Sequence, residues 1–348
     1  MTPNLYDISW KIDEPTYRND KSLSYSTLAR YSREGFNKLD RLFDQIDTPS
    51  LVFGSAVDAL ITGGQKEFDE NFIVAEFPDI SDNLQTITRI LFDRYNNSFR
   101  RISDIDDEIL AEVGKECNYY AGDNYKKTRV KKIKEECQEY YNIMYAARGK
   151  KILNTATKTQ VDNAVRVLKE DIATKFYFAK DSPFNGIQRF YQLKFKATLS
   201  GVDYRCMADL IVVDHKNKTI QPIDLKTSSH TEWNFFESFV QWSYHIQARL
   251  YWRIILDNVQ RHPEFAEYIV LPYKFIVVNK FTLTPLVWDF EDTCTYGTLY
   301  YGKDKQIECR DPFELGKELH YYLTVHPNVP KGINVNGSNS LTKWLNTI

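Results

Sequence analysis

Between residues 185 and 290 the apolar pattern drops from a helical period to a period of two, and this change constrains the fold more than any other feature of the chain. "IQRFYQLKFKATLSG" and "VDYRCMADLIVVD" read as strands that turn at Ser200-Gly201, and "TIQPIDLKT" follows through the short polar turn "HKNK". Turns this short join antiparallel neighbours, so the segments form a meander. A helix over "TEWNFFESFVQWSYHIQARLYWRIIL" comes next, then strands at "YKFIVVNK" and "PLVWDF". The order β-β-β-α-β-β predicts an α/β chain: a central mixed β-sheet flanked by helices.

Upstream, the spacing is helical. "SLSYSTLARYSREGFNKLDRLF" opens on capping residues and spaces Leu28, Tyr31, Phe36 and Leu39 as a helix would. "TPSLVFGSAVDALITG" starts on Pro49, shares one face among Val52, Ala56 and Leu60, and stops at Gly63-Gly64. Four helical segments fill 81–175, and a helix over "DPFELGKELHYYLTVH" closes the pattern. We therefore expect one elaborated domain over 1–348, with N-terminal helices at 22–64, a helical insertion at 81–175, the sheet core at 185–290 and a helical extension at 291–348.

Composition limits the partners. The 348 residues carry a net charge of −2, so a nucleic-acid surface has to be a local patch. The most basic run holds Lys126, Lys127, Arg129 and Lys131. It reads either as a solvated helix face paired with Glu135, Glu136 and Glu139 or as a DNA backbone contact. The five scattered cysteines form no CxxC pair, which points to a reducing compartment and against a disulfide framework or metal–sulfur centre. The first residues lack a signal-peptide pattern, and no apolar run is long enough for a membrane span.

The chemistry concentrates where acids interrupt strands. Asp209 lies within "CMADLIVV", where an unpartnered carboxylate is costly to bury. Asp224 and Lys226 stand two apart on the next strand, so they point to the same side. Paired strands bring Asp209 toward Asp224, and two carboxylates that meet repel each other. A hard cation, Mg²⁺ or Mn²⁺, resolves this with oxygen ligands, to which the Leu225 carbonyl can add. Lys226 then orients or helps deprotonate a water, or offsets charge on a phosphate oxygen. Most isolated D-x-K triplets are surface ion pairs; here a second acid stands on the neighbouring strand.

"ADLIVVD" followed by "PIDLKT" resembles the PD-(D/E)XK nuclease signature, with Asp209, Asp224 and Lys226 at the two acid positions and the lysine, and Ala208 in place of the proline. "HIQARLYW" supplies Gln247 and Tyr251, similar to the QxxxY helix of the RecB-like branch, where such a pair faces the active site and the DNA. "FGSAVDALI" resembles that branch's GxxxH helix, with Gly54 matching and Asp58 in place of histidine. Aspartate is a competent oxygen ligand, so Asp58 is expected to take the histidine's place on the metal; the other reading leaves it on a solvated helix face. "LSYSTLARYSREGFNKL" and residues 149–168 extend the resemblance, which is greatest to exonuclease VIII and phage-type recombination exonucleases and covers roughly 22–290.

The resemblance implies a restriction-endonuclease-like core and a Mg²⁺-dependent deoxyribonuclease, an exonuclease resecting duplex DNA ends in recombination or repair. Asp58, Asp209, Asp224 and the Leu225 carbonyl would hold metal, while Lys226 acts on the water and Gln247 and Tyr251 place the nucleic acid. Arg205 is a candidate phosphate contact or cross-strand ion pair, and Glu232 and Glu237 are weaker acid candidates. The partners implied are double-stranded DNA ends, a single-strand annealing or other recombination protein, and further copies of the chain, in a bacterial or host cytoplasm. No P-loop is present, so the chain brings no ATP motor of its own. Two alternatives stay open: a nuclease-fold protein that binds DNA or protein without cutting, and a restriction-type endonuclease.

Overall fold

The structure, a computed structural model, describes residues 2–35, 39, 41–44, 48–181, 184–290, 297–301 and 305–324. Helix limits follow from local chemistry. α1 (Glu14–Asn19) starts behind Asp13, whose carboxylate accepts from Thr16 N at 2.7 Å. α2 (Tyr25–Glu34) starts behind Ser24 and ends at Gly35, whose φ of 60° suits glycine. Phe36 lies outside the described residues. α3 (Pro49–Thr62) opens on Pro49, where its missing N–H is no loss. α4 (Gly64–Asn71) leads into β1 (Phe72–Val74), and α5 (Asp82–Tyr95) and α6 (Asp107–Glu116) follow.

The single helix expected over 126–149 breaks at Cys137 into α7 (Lys126–Glu136) and α8 (Gln138–Ala146). β2 (Lys151–Leu153) pairs in parallel with β1, and α9 (Thr155–Glu170) comes after it. Neither three-residue strand has a legible period. The chain divides into two compact units, Ser55–Asn163 and the remainder, a division that does not coincide with the helical stretch 81–175. The Ser55–Asn163 unit has its own core, in which Leu84, Ile87 and Leu91 of α5 meet Leu110 of α6 and Ile133 of α7.

The other unit holds the sheet: β3 (Ile187–Leu199), β4 (Val202–Asp214), β5 (Thr219–Ser228), β6 (Ile269–Val270), β7 (Lys274–Asn279) and β8 (Pro285–Asp289). The first three form the expected antiparallel meander; β5 then pairs in parallel with β6 and β7, and β8 is antiparallel to β7. The chain is thus α/β with a mixed central sheet. Between β5 and β6 run α10 (Phe235–Gln241) and α11 (Tyr244–Gln260), one helix in expectation but broken at Ser243. α11 lays Ile246, Leu250 and Ile254 on the sheet and, with Phe195, Tyr204 and Phe275, builds the main core. The 291–348 stretch departs from expectation, since a hairpin of β9 (Gly297–Tyr301) and β10 (Lys305–Cys309) precedes α12 (Pro312–Thr324). Among the described residues no helix is long and apolar enough to cross a membrane.

One irregularity in the meander shapes everything at its centre. β3 and β4 pair at Tyr191–Leu210 and Leu193–Ala208 but skip Gln192–Asp209, where Gln192 takes a left-handed φ of 53°. The core-facing set changes parity there. In β4 it runs Val202, Tyr204, Cys206, Ala208 and then Ile211, Val213. Unbroken alternation from Val202 would aim Asp209 away from α11; the break places it in the α11-facing set of Ile211 and Val213. A non-glycine residue in this backbone region costs about 1–3 kcal/mol. Gln192→Val is therefore expected to unfold in less urea than Gln192→Gly, by roughly 1 kcal/mol, because a β-branched residue tolerates the left-handed region worst. In an ordinary strand valine would be the more stable of the two.

Candidate active site

The β4–β5 ladder ends at Leu210–Ile223, so Asp209 and Asp224 occupy the next register position, where the strands part. Beyond it β5 continues beside β7, while β4 takes Leu23 on its vacated edge through Leu23 N to Asp203 O and Arg205 N to Leu23 O, both 2.9 Å. The Asp209 carboxylate fills the gap in the ladder: its Oδ2 accepts from Leu225 N at 2.9 Å. In an extended chain the N–H and C=O of one residue point to the same side. The Leu225 carbonyl thus faces the gap as well.

Asp224 is buried, and its Oδ1 accepts from Gln247 Nε2 on α11. Lys226 Nζ stands 2.7 Å from Asp224 Oδ2, an ion-pair contact off the hydrogen-bonding direction, so that oxygen lacks a directed donor. The lysine also lies 4.7 Å from the centre of the Tyr244 ring. Burial pulls the Lys226 pKa down, but Asp224, followed by Tyr244, Tyr25 and Asp209, raises it further, and the net displacement is upward. Tyr251 is buried one turn from Gln247, 6.4 Å from Tyr273 between ring centres. Burial drives both hydroxyls well above the usual phenol value, with both aspartates adding to the shift.

A divalent ion fits these residues. Gln247 Oε1 and the Tyr273 hydroxyl are buried without hydrogen-bond partners, and Asp224 Oδ2 has only the Lys226 ammonium beside it, an arrangement a native core avoids unless something else satisfies it. Among the described residues no group of three or more His, Cys, Asp or Glu is placed to hold a metal; the sheet brings together two carboxylates. Mg²⁺ suits so sparse a set, since it takes one or two carboxylates and keeps several waters.

Other expected residues fall elsewhere. The parity break turns Arg205 away from Asp209, although the two are four apart. Its guanidinium is buried over the Tyr17 ring and donates to the Tyr17 and Ser22 carbonyls, so it is a structural anchor and not a phosphate contact. In the basic run Lys126 pairs with Glu108 and Lys131 with Glu135, Lys127 is exposed, and Arg129 is buried, donating to the Tyr120 carbonyl. Lys126 and Lys131 are thus ion-paired, and its burial removes Arg129 as a DNA contact. Glu232 and Glu237 are exposed, with Glu237 3.8 Å from His230. Asp58 is half-buried and lies in the Ser55–Asn163 unit; one turn before it Gly54, in the sheet unit, comes so close to β5 that a Cβ there would meet Thr227 Oγ1 at 3.2 Å.

Sequence reasoning missed Tyr25, Tyr244 and Tyr273, which surround Lys226 and the carboxylates; tyrosine is too common in strands and cores here to stand out. No family model matches the chain, and no curated protein does. Among solved structures, a 2.19 Å crystal structure of a "Putative exonuclease" from Eubacterium rectale is similar over 91% of this chain and 84% of that one, at 12% identity and a TM-score of 0.39. A likeness this distant has no bearing on the chemistry of the site.

His245, beside the site on α11, is buried with neither ring nitrogen hydrogen-bonded, and burial lowers its pKa from 6.5 to about 4. The unfolded chain therefore takes up a proton at a pH where the folded one does not. The His245 contribution to stability is constant above pH 6.5 and falls as pH drops toward 4, by about 3 kcal/mol in all. Urea unfolding across this range is expected to show the slope in the wild type and a shallower one in His245→Leu. Parallel slopes would place the imidazole in contact with water.

Proposed function

We propose that the chain is a metal-dependent DNA nuclease, an exonuclease that shortens duplex ends by phosphodiester hydrolysis. One observation supports this reading above the others: Asp209 and Asp224 share the register position at which β4 and β5 separate, with Lys226 beside them. A sheet that only needed to be stable would close this position with apolar residues. Two acids and an ammonium at an opening strand pair match the demands of phosphate chemistry.

In this reading Asp209, Asp224 and the Leu225 carbonyl would hold Mg²⁺ or Mn²⁺, which when bound generates a nucleophilic water and offsets phosphate charge. The remaining roles belong to the side chains. Lys226, held protonated by its surroundings, presents an ammonium to the phosphate oxygen on which charge accumulates. Gln247 fixes the Asp224 carboxylate through Oδ1 and leaves Oδ2 toward Lys226. Tyr251 and Tyr273 form a largely dry wall behind the acids, in which every charge interaction is stronger than in water.

Asp224→Asn and Lys226→Ala are each expected to lower cleavage of end-labelled linear duplex by at least about a hundredfold in Mg²⁺, with unchanged circular dichroism. Chelator is expected to abolish wild-type cleavage, and covalently closed circles should survive. Undiminished cleavage by either variant ends the assignment. Nicked circles would make the enzyme an endonuclease, and DNA bound without cleavage would make it a binding protein.

A further inference from the structure

Where α10 passes into α11, Ser243 is buried yet has a left-handed backbone, with φ of 56° and ψ of 46°. Non-glycine residues hold such strain only where their surroundings enforce it, and it gathers at functional sites. Here it separates two neighbours. Tyr244 turns inward over Lys226, whereas Trp242 turns outward and is 44% exposed. Trp242 is nevertheless fixed to the site, since its carbonyl accepts from the Tyr25 hydroxyl at 2.7 Å and the Tyr25 ring lies 6.2 Å from that of Tyr244.

A cation reaches the same place from α2. The exposed Arg33 guanidinium sits 5.4 Å from the centre of the Trp242 ring. Its charge acts on the Tyr25 and Tyr244 hydroxyls together with that of Lys226. An open indole and an exposed planar cation are thus one residue layer from the two aspartates. Most other cations considered for DNA contact are spent: Arg205 and Arg129 on carbonyls, Lys126 and Lys131 on glutamates.

We propose that Trp242 and Arg33 form a seat for one unpaired nucleotide of a DNA strand whose adjacent phosphate lies at Asp209 and Asp224. The base stacks on the exposed part of the indole, and the guanidinium pairs with the nucleotide's phosphate. Stacking on an aromatic face requires a base free of its complement, so the seat takes a single-stranded or frayed end and not the interior of a duplex. A planar guanidinium suits phosphate oxygens as well as a ring face, so Arg33 can exchange one for the other. The inference rests on the nuclease reading and names the strand form that the site receives.

Fluorescence anisotropy with a labelled oligothymidine of about a dozen nucleotides, in chelator so that nothing is cut, tests the seat. Trp242→Ala is expected to weaken binding roughly tenfold and Trp242→Phe to restore most of it. Arg33→Ala is expected to weaken binding and to lower the slope of log affinity against log salt by about one. Blunt duplex should bind the three variants and the wild type alike. Equal oligothymidine affinities for wild type and Trp242→Ala, or no wild-type binding, overturn the seat. Linear-duplex cleavage by the wild type in Mg²⁺, run in parallel, separates the two readings. Cleavage with Trp242-independent binding removes the seat alone, and Trp242-dependent binding without cleavage removes the catalysis and keeps the seat.

Discussion

The candidate site depends on one hydrogen bond that a side chain takes over from the backbone. Up to Leu210–Ile223 the ladder of β4 and β5 is satisfied by main-chain groups. Past that pair β5 keeps β7 on its other edge, β4 next meets a backbone partner at Tyr204, where Leu23 bridges it, and the Leu225 N–H would face an empty gap. The Asp209 carboxylate closes it. A buried amide left unpaired costs about 1–3 kcal/mol, and a carboxylate that accepts a backbone N–H is held in place by it. The same contact stabilises the fork and aims the acid.

Much of this was legible in the sequence, for identifiable reasons. The meander showed because its turns are short and its strands alternate, and the acids showed because they interrupt apolar strands. The register match of Asp209 and Asp224 follows from the "HKNK" turn, which fixes how the two strands align. The parity reversal was harder to see, although Phe190 and Phe195 both pack toward the main core from positions of opposite parity. Reading β4 as uniform placed Arg205 on the face of Asp209, and the reversal at 208–209 puts it on the other. Ser243 gave no warning either, because a left-handed serine between two helices has no composition signal.

The distribution of cations changes how the chain can meet a polyanion. With a net charge of −2 and much of the 126–134 run neutralised by neighbouring acids, no broad positive field surrounds the protein. Among the described residues two cations near the aspartates are each set against an aromatic ring, Lys226 inside and Arg33 outside. Recognition of the kind proposed would depend on shape and stacking more than on long-range attraction, and salt would screen it less.

Leu23 has a significance beyond its single backbone bridge. With β5 gone from its side, the Val202–Ala208 half of β4 would be an open sheet edge, and Leu23 pairs with its middle, at Tyr204, through both of its main-chain groups. Open edges recruit other chains and aggregate. The segment leading into α2 therefore shields this stretch of β4, and trimming it would convert the strand into an adhesive surface for neighbouring molecules.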